Sequence, residues 1–374
     1  MKVVLALDKF KGSATASELS CDVQQALSDL PGVQVVTVPV ADGGDGTTAA
    51  LAGSHRGQWV TLQSPAPLLH LDPVNASYYC CDDGTAFIEV AAASGLALVP
   101  EDRRDVMRAT SLGTGLMMLD AIERGCHEII LGLGGSATCD GGMGIMSALG
   151  AEFLDNEYHH LYPSGASLDQ ITHIETRGIP SQVQDCRFTL LTDVNIPLCG
   201  ETGAATVFAP QKGATPQQVT ILDNGLRHLS SIIGNRIAAM PGCGAAGGIP
   251  ALMMHLLQHC QLLPGAPFVL DSCGLDDALD GADLVITGEG RLDSQTLMGK
   301  APGVVIDRAR QRGIPVAAVC GAIDPALNIA MTGLQAAIAV SGTLPHEQAM
   351  DNAGTRARVA VAIRQIVLKG QNSL

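Results

Sequence analysis

The sequence is short of aromatic residues and of positive charge. Tryptophan, tyrosine and phenylalanine together make up 3% of its 374 residues, which argues against a β-sandwich built on aromatic packing. Lysine and arginine number 22 against 37 aspartates and glutamates, which gives a formal net charge of −15. Because nucleic-acid binders need a basic face and anionic membranes attract basic segments, we expect neither a nucleic acid nor a membrane as partner.

Long apolar runs and paired cysteines are also missing. No stretch reaches the roughly 18 apolar residues of a membrane span. The apolar run at the start is cut by Asp8, and it is too short for a secretory signal. The 11 cysteines are scattered and form no C-x-x-C pair, so neither a zinc site nor a disulfide framework is indicated. We therefore expect a cytoplasmic protein with reduced thiols.

Glycine, by contrast, is abundant, with 43 residues, and many of them follow short apolar runs. A run of this kind followed by a glycine loop and a helical pattern indicates an α/β fold, and it occurs at both ends of the chain. From about 65 to about 281 the pattern changes to β-rich stretches with Gly/Pro breaks. We predict a discontinuous Rossmann-like parallel-sheet domain, 1–66 plus 283–374, and an inserted mixed α/β domain, 67–282, that carries a glycine-rich phosphate loop.

That loop lies within ILGLGGSATCDGGMGIMSALG, residues 130–150. A glycine loop between a strand and a helix presents free N–H groups to an anion. Residues 132–137 also fit the dinucleotide pattern G-x-G-x-x-A, with Asp155 at about the distance of a ribose-binding acid. Asp140 would repel a bare pyrophosphate but suits Mg²⁺–nucleotide. We interpret residues 132–140, called the phosphate loop below, as a Mg·ATP cradle, with an NAD(P) site as the alternative.

The sequence contains neither G-x-x-x-x-G-K-[ST] nor the H-R-D and D-F-G triplets, so a kinase with this sequence needs another fold. Acids that follow strands are expected to converge, because ligands bind outside the carboxyl ends of strands in open α/β sheets. These acids are Asp8, Asp42, Asp45, Asp193 and Glu289. Cations that offset phosphoryl charge would come from the few lysines, among them Lys11, Lys212 and Lys300.

A series of segments resembles, in order and from one end of the chain to the other, the type 1 glycerate kinase family. These segments are LDKFKGSATASE, PVADGGDGT, TSLGTG, GLGGSATCDGGMG, DVNIPLCGETGAATVFAPQKGA, GCGAAGG and VITGEGRLDSQTLMGKAP. The resemblance implies phosphorylation of glycerate by ATP and Mg²⁺, with the active site in a cleft between two α/β domains. One departure is Cys139, where family members often carry Asn, and its thiol is a candidate point of oxidation.

The resemblance and the residue types together suggest four roles. Two residues are expected to act in catalysis, by orienting the hydroxyl and by offsetting anionic charge: Asp193 and Lys11. Substrate-binding side chains are expected to be Asp8, Asp42, Asn195 and Arg291. Groups expected to bind the ATP phosphates are Gly134, Gly135, Ser136, Thr138 and Lys212. Acids expected to hold the metal ion are Asp140, Asp45 and Glu289.

Each role has a structural alternative. The glycine pattern of the phosphate loop is also typical of a plain strand–helix turn. Asp193 is equally consistent with a turn-capping residue, and Lys11 with a solvated lysine. Arg291 also reads as an ion-pair partner of acids near Glu289.

The favoured reaction is phosphorylation of (R)-glycerate to 2-phospho-D-glycerate in organic-acid, glyoxylate or sugar-acid catabolism. The alternatives are a 3-phosphoglycerate-forming kinase, an NAD(P)-dependent dehydrogenase of a small hydroxy acid and a non-catalytic ATP or glycerate sensor. The sequence leaves open the enantiomer used and whether the protein is a monomer or a homodimer.

Overall fold

The structure is a computed structural model that describes residues 1–296 and 299–371. Within these residues the chain divides into two compact units. Unit 1 comprises Met1–Asp42 and the described residues from Ala266 onward, and unit 2 comprises Gly43–Gly265.

Strands and helices alternate along the chain. The strands are β1 (Lys2–Leu7), β2 (Gln34–Thr37), β3 (Gly57–Ser64), β4 (Val74–Cys81), β5 (Thr85–Glu89), β6 (Glu128–Gly132), β7 (Glu152–Leu154), β8 (His173–Glu175), β9 (Arg187–Thr192), β10 (Cys260–Pro264), β11 (Leu284–Gly288), β12 (Arg291–Leu292), β13 (Val316–Cys320), β14 (Ala322–Ile323) and β15 (Ala336–Ala339). The α-helices are α1 (Ala16–Leu27), α2 (Thr47–Ala52), α3 (Val90–Ser94), α4 (Leu112–Glu123), α5 (Met143–Ala148), α6 (Ser181–Asp185), α7 (Ala204–Phe208), α8 (Pro216–Ile233), α9 (Asn235–Ala238), α10 (Ile249–Leu256), α11 (Gly265–Ser272), α12 (Leu275–Leu279), α13 (Ala301–Gln311), α14 (His346–Met350) and α15 (Asn352–Gln371). Short 3-10 helices cover Leu96–Leu98, Glu101–Arg103, Gly165–Gln170, Pro210–Lys212, Ala245–Gly247 and Ile329–Met331.

Unit 1 is built on a parallel sheet in the order β15-β13-β11-β1-β2. The side chains of β1 alternate between two apolar layers. Val3 and Leu5 pack with α1 and α15 on one face. Val4 and Ala6 pack with α11, α12 and α13 on the other. Because helices cover both faces, the strand is an uninterrupted apolar run rather than an alternating one.

The order of these strands creates a topological switch point between β1 and β11. From β1 the sheet grows to β2 on one side and to β11, β13 and β15 on the other. Ligands of doubly wound sheets bind outside the carboxyl ends of the strands at such a point. Asp8 follows β1 and Glu289 follows β11, so both acids lie at the switch point.

Unit 2 is built on a mixed sheet in the order β10-β9-β6-β5-β4-β3. The four strands from β10 to β5 are parallel, and β4 and β3 continue the sheet in antiparallel pairing. It follows that β3 runs in the same direction as β5, β6 and β9. We call the edge where these strands end the carboxyl edge of unit 2.

The α/β class with parallel sheets, predicted from the sequence, is confirmed. Along the chain, the boundaries between the units fall at 42/43 and 265/266, whereas the predicted boundaries are 66/67 and 282/283. Strand β3 pairs with β4 along its whole length, and the glycine stretch 43–46 packs against Gly134. Residues 43–66 therefore belong to unit 2. Helices α11 and α12 pack under the sheet of unit 1, which places residues 266–282 there. An active site in a cleft between domains stays a prediction.

Across residues 1–296 and 299–371, no helix combines the length and apolar character needed to cross a membrane.

Candidate active site

The phosphate loop lies at the carboxyl edge of unit 2, between β6 and α5. A second glycine stretch, residues 43–46, packs directly against it, and the Gly134 amide donates to the Gly43 carbonyl over 3.1 Å. A Cβ atom on Gly134 would lie 2.4 Å from the nearest backbone atom of that stretch. The Leu133 amide donates to the carbonyl of Leu191 in β9, also over 3.1 Å. Position 134 therefore admits only glycine, because the two backbones approach each other so closely.

Lys212 fixes the phosphate loop from inside unit 2. Its side chain is 4% exposed, and it ends the short 3-10 helix Pro210–Lys212. The ammonium group donates to Ser136 Oγ over 2.8 Å and to the Thr138 carbonyl over 2.7 Å. Burial lowers the pKa of Lys212 to about 8. The structure thus brings together three residues that the sequence predicts to bind phosphate.

The GCGAAGG segment, residues 242–248, also packs against the phosphate loop. Thr138 Oγ1 donates to the Ala246 carbonyl over 3.4 Å, and the Gly141 amide donates to the Gly247 carbonyl over 3.0 Å. Ala246 has φ of 51°, in the left-handed region that a residue with a Cβ rarely adopts. Strained backbone of this kind concentrates at functional sites. The sequence motif GCGAAGG is one of the segments that carry the family resemblance, but no role was predicted for Ala246.

One acid, Asp45, lies within the glycine stretch 43–46, and a second packs against this stretch. Glu89 ends β5, and its carboxylate accepts the Gly46 amide over 3.3 Å and the Thr48 amide over 2.7 Å. Burial, and to a lesser extent the charge of the exposed Asp45, raise the pKa of Glu89. Sequence reasoning names Asp45 and misses Glu89. An acid at the end of the apolar run AFIE is the same signal that selects Asp8, so it would have found Glu89.

Asp193 and Asn195 follow β9 at the carboxyl edge and are both exposed. Between them, the Val194 amide donates to Thr192 Oγ1 over 3.2 Å, which fixes the turn out of the strand. The structure therefore places both residues on the edge that carries the phosphate loop.

A second group of predicted residues lies in unit 1, at the switch point. Asp8 and Glu289 are both 8% exposed, and Thr296 Oγ1 donates to Glu289 Oε1 over 2.5 Å. Burial, followed by the charge of Asp42, raises the pKa of Asp8 to about 6. Burial raises the pKa of Glu289 to about 7, with a further contribution from the charge of Asp8, while Lys300 opposes both shifts. Perturbed acids at a strand-end crevice mark a candidate functional site.

Lys11 and Arg291 lie near this group on exposed chain segments. A Cβ atom on Gly290 would lie 3.3 Å from the backbone nitrogen of Lys11. The turn after β1 therefore contacts the loop after β11. Arg291 is 62% exposed and pairs with Asp324, with 2.9 Å between the guanidinium and the carboxylate. The expected ion pair with an acid near Glu289 is present as a 4.0 Å approach to Asp293, but the shorter pair is with Asp324.

The comparisons with known proteins agree with one another. A model of the glycerate kinase family matches residues 3–368. The chain is 41% identical to the glycerate 2-kinase of Escherichia coli K12, with 86% of each chain covered. It is 38% identical to the glycerate kinase of Bacillus subtilis 168, with 94% of each covered. The chain belongs to the glycerate kinase family.

A solved structure supports the same membership. It is described as glycerate kinase 2 from Salmonella typhimurium LT2 and is 36% identical to this chain, with a TM-score of 0.83. The match covers 100% of this chain and 99% of the other. The dehydrogenase alternative finds no support among these relatives.

The geometry of Asp155 also argues against a dinucleotide site. Its carboxylate accepts the amides of Glu157 and His159 over 2.8 and 2.9 Å, which closes a surface turn. It follows β7, which pairs with β8 and not with β6, whereas the ribose-binding acid of a dinucleotide fold ends the neighbouring parallel strand.

Asp140 is not placed to hold a metal ion. Its side chain is fully buried. Its carboxylate accepts the Ser111 amide and hydroxyl over 2.8 and 2.7 Å, the Gly142 amide over 3.2 Å and the Gly144 amide over 3.1 Å. Burial raises the pKa of Asp140, while these bonds oppose the shift. The expected metal ligand is therefore a structural carboxylate that joins the starts of α4 and α5.

Cys139 is equally inaccessible. It is 1% exposed, and burial raises the pKa of its thiol to about 12. Because oxidants react with exposed thiolates, the expectation that Cys139 is a point of oxidation is wrong.

The structural role of Asp140 gives a first prediction. We expect Asp140→Ala to lower the free energy of unfolding by at least about 3 kcal/mol, because each buried donor left unpaired costs about 1–3 kcal/mol. The measurement is urea denaturation with and without Mg²⁺. Asp155→Ala, which removes a carboxylate from a surface turn, is the control and should cost about 1 kcal/mol. A loss confined to samples with Mg²⁺ would show that Asp140 is a metal ligand after all.

The buried acids of unit 1 give a second prediction. Because the folded state raises the pKa of Glu289 from 4.5 to about 7, folding becomes less favourable as the pH rises through this range. We expect Glu289→Gln to be more stable than the wild type at pH above 7, by up to about 3 kcal/mol. The gain should vanish below the unfolded pKa.

Thermal unfolding in the presence of a chelator, over a series of pH values, tests this expectation. The control is Glu157→Gln, which alters a side chain that is 71% exposed. A Glu289→Gln variant whose stability differs from the wild type by the same amount at every pH would contradict the prediction.

Proposed function

We propose that this protein transfers the γ-phosphoryl group of ATP to (R)-glycerate and forms 2-phosphoglycerate. The observation that carries the proposal is the buried Lys212, which holds Ser136 and Thr138 of a glycine loop at the carboxyl edge of a parallel sheet. The name of the Escherichia coli relative, glycerate 2-kinase, supports the 2-phosphate over the 3-phosphate. We place the reaction in organic-acid catabolism because glycerate is a small hydroxy acid, and in the cytoplasm because its reducing conditions suit eleven free cysteines.

In this proposal the phosphate loop binds the ATP phosphates. The Gly135 and Ser136 backbone amides and the Ser136 hydroxyl would contact the phosphates. The Gly134 amide and the Thr138 hydroxyl, predicted as phosphate contacts, donate instead to the Gly43 and Ala246 carbonyls and so shape the loop. Lys212 supplies the fixed positive charge that transfer of a phosphoryl group requires. Because water is excluded from its surroundings, this charge acts more strongly than it would at the surface.

The residues present fit one Mg²⁺ ion that arrives with the nucleotide. No group of three or more His, Cys, Asp or Glu side chains in residues 1–296 and 299–371 is arranged for a metal. Magnesium, however, is usually bound by one or two carboxylates together with substrate phosphates. Asp45 within the glycine stretch fits this role, and Glu289 is the candidate in unit 1. When bound, the ion offsets charge on the phosphate oxygens.

Glycerate offers a carboxylate and two hydroxyl groups, and unit 1 has partners for both kinds of group. Lys11 and Arg291 suit the carboxylate, the latter through a bidentate guanidinium. The carboxylates of Asp8 and Asp42 suit the hydroxyls, as does the Asn195 amide of unit 2. We propose that Asp193 accepts the proton of the reacting hydroxyl and orients its oxygen for in-line attack.

The reaction itself is the third prediction. D-glycerate, ATP and Mg²⁺ should yield ADP and phosphoglycerate in equal amounts, and phosphorus NMR should show the signal of the 2-phosphate. Asp193→Asn should lower kcat by about 100-fold or more while the fold is retained. Asp155→Asn is the control. ADP release without glycerate dependence would overturn the proposed substrate, and full turnover by Asp193→Asn would overturn the role of that residue.

The pKa of Lys212 gives the fourth prediction. Since the free protein has a pKa of about 8 at Lys212, the affinity for ATP should fall as the pH rises above 8. Lys212→Met should bind ATP weakly, and its affinity should not depend on pH in this range.

The same pKa also affects stability. Because the pKa of Lys212 is lower in the folded state than the ordinary 10.5, folding should become more favourable as the pH rises from 8 to 10.5. Lys212→Met should abolish this pH dependence of the free energy of unfolding. Calorimetric titration and denaturation at several pH values measure both effects. A pH-independent ATP affinity of the wild type would contradict the assignment.

A further inference from the structure

Unit 2 contains a cavity that none of the roles above uses. Its volume is about 160 Å³. It is lined by two leucines, a histidine, an arginine and a tyrosine: Leu68, Leu69, His70, Arg108 and Tyr162. Leu69 and Tyr162 are 47% and 41% exposed, so a small molecule can reach the cavity from solvent.

Two walls of the cavity lie at the carboxyl edge and pack against the phosphate loop. Leu68 belongs to the segment that follows β3, and Arg108 to the segment that precedes α4. The Thr110 amide donates to the Pro67 carbonyl over 2.8 Å, which joins the two segments. Leu68 and the neighbour of Arg108, Ala109, form one apolar cluster with Ala137 of the phosphate loop.

The third wall also reaches the phosphate loop. The Tyr162 hydroxyl donates to the Arg108 carbonyl over 3.4 Å. Three residues further on, a Cβ atom on Gly165 would lie 2.8 Å from the Cys139 carbonyl. Each of the three walls, through a lining residue or a residue near it in the chain, thus contacts the stretch from Ala137 to Cys139. Its neighbour Ser136 is bound by Lys212.

The side chains of the cavity suit a flat aromatic ring with polar edges. The leucines and the tyrosine ring offer apolar surface, and the guanidinium of the exposed Arg108 lies close enough to affect the Tyr162 hydroxyl electrostatically. Tyrosine rings and arginine planes are the groups on which nucleobases stack. A bare anion would gain little from the leucines and the tyrosine, so a base explains the composition better than a second phosphate site does.

We propose that this cavity binds the adenine ring of ATP, whose phosphates then extend onto the phosphate loop. The inference rests on the proposed function for the presence of ATP, but it concerns a site that the predicted roles leave unassigned. It makes His70 and Arg108 the candidates for contacts with the polar edge of the base.

Calorimetric titration with ATP and with inorganic tripolyphosphate, both in Mg²⁺, tests the proposal. Tyr162→Ala removes the stacking surface, and Leu69→Arg fills the cavity from its exposed side. The matched controls are Tyr158→Ala and Ile221→Arg, at residues that are 64% and 46% exposed and lie outside the cavity. We expect both cavity variants to bind ATP at least about tenfold more weakly than the wild type. Their affinity for tripolyphosphate, and both affinities of the controls, should be unchanged.

The remaining outcomes distinguish failure of the adenine site from failure of the proposed glycerate kinase function. If the wild type phosphorylates glycerate and the cavity variants keep wild-type affinity for ATP, the adenine site is wrong and the proposed function stands. If the cavity variants lose ATP and tripolyphosphate equally, the cavity serves the fold of the phosphate loop, and the adenine site is again overturned. If the wild type binds no ATP, both proposals fail.

Discussion

The phosphate loop depends on one buried positive charge. Removing the ammonium group of Lys212 from water carries a cost that only good hydrogen bonds and a nearby negative charge can offset. Ser136 Oγ and the Thr138 carbonyl provide the bonds. The carboxylate of Asp140 lies close enough to favour the charged ammonium. Lysine at position 212 and the shape of the loop are thus tied together, since neither is satisfied without the other.

The same argument extends from the loop to the helices. Asp140 is itself held by Ser111 and by the first amides of α5, and Ser111 Oγ accepts the Ile145 amide over 3.0 Å. A polar network therefore runs from the ammonium group through the loop to the starts of α4 and α5. Fully satisfied buried networks specify a single arrangement, whereas a partly satisfied one costs more than an apolar core would. This explains why a loop so rich in glycine can still have a definite shape.

Much of this could be predicted from the sequence, because the signals are local. The strand–glycine loop–helix pattern at residues 130–150 correctly predicted a turn between a strand and a helix, whereas phosphate binding by this loop stays a prediction. The features that could not be predicted depend on contacts between residues far apart in the sequence. An acid within a glycine loop looks like a metal ligand until Ser111, 29 residues earlier, is found to bind it. The boundary between the units at 42/43 depends likewise on the pairing of β3 with β4. The residue pattern of either strand alone does not predict this pairing. Glu89 was missed although its signal is local.

The two units carry opposite kinds of polar group, and this matters for an acidic protein. A net charge of −15 repels a nucleoside triphosphate at long range, so a site that binds its phosphates has to reverse the field locally. In the proposed phosphate site at the carboxyl edge of unit 2, backbone amides and Lys212 would supply this positive field. At the switch point of unit 1, the side chains of Asp8 and Glu289 are buried. Burying these carboxylates lowers the stability of the folded protein. Groups held in such unfavourable surroundings are typical of functional sites. In the proposed site, the Asp8 carboxylate would accept a hydrogen bond from a glycerate hydroxyl without competition from bulk water, while Glu289 is the candidate metal ligand of this unit.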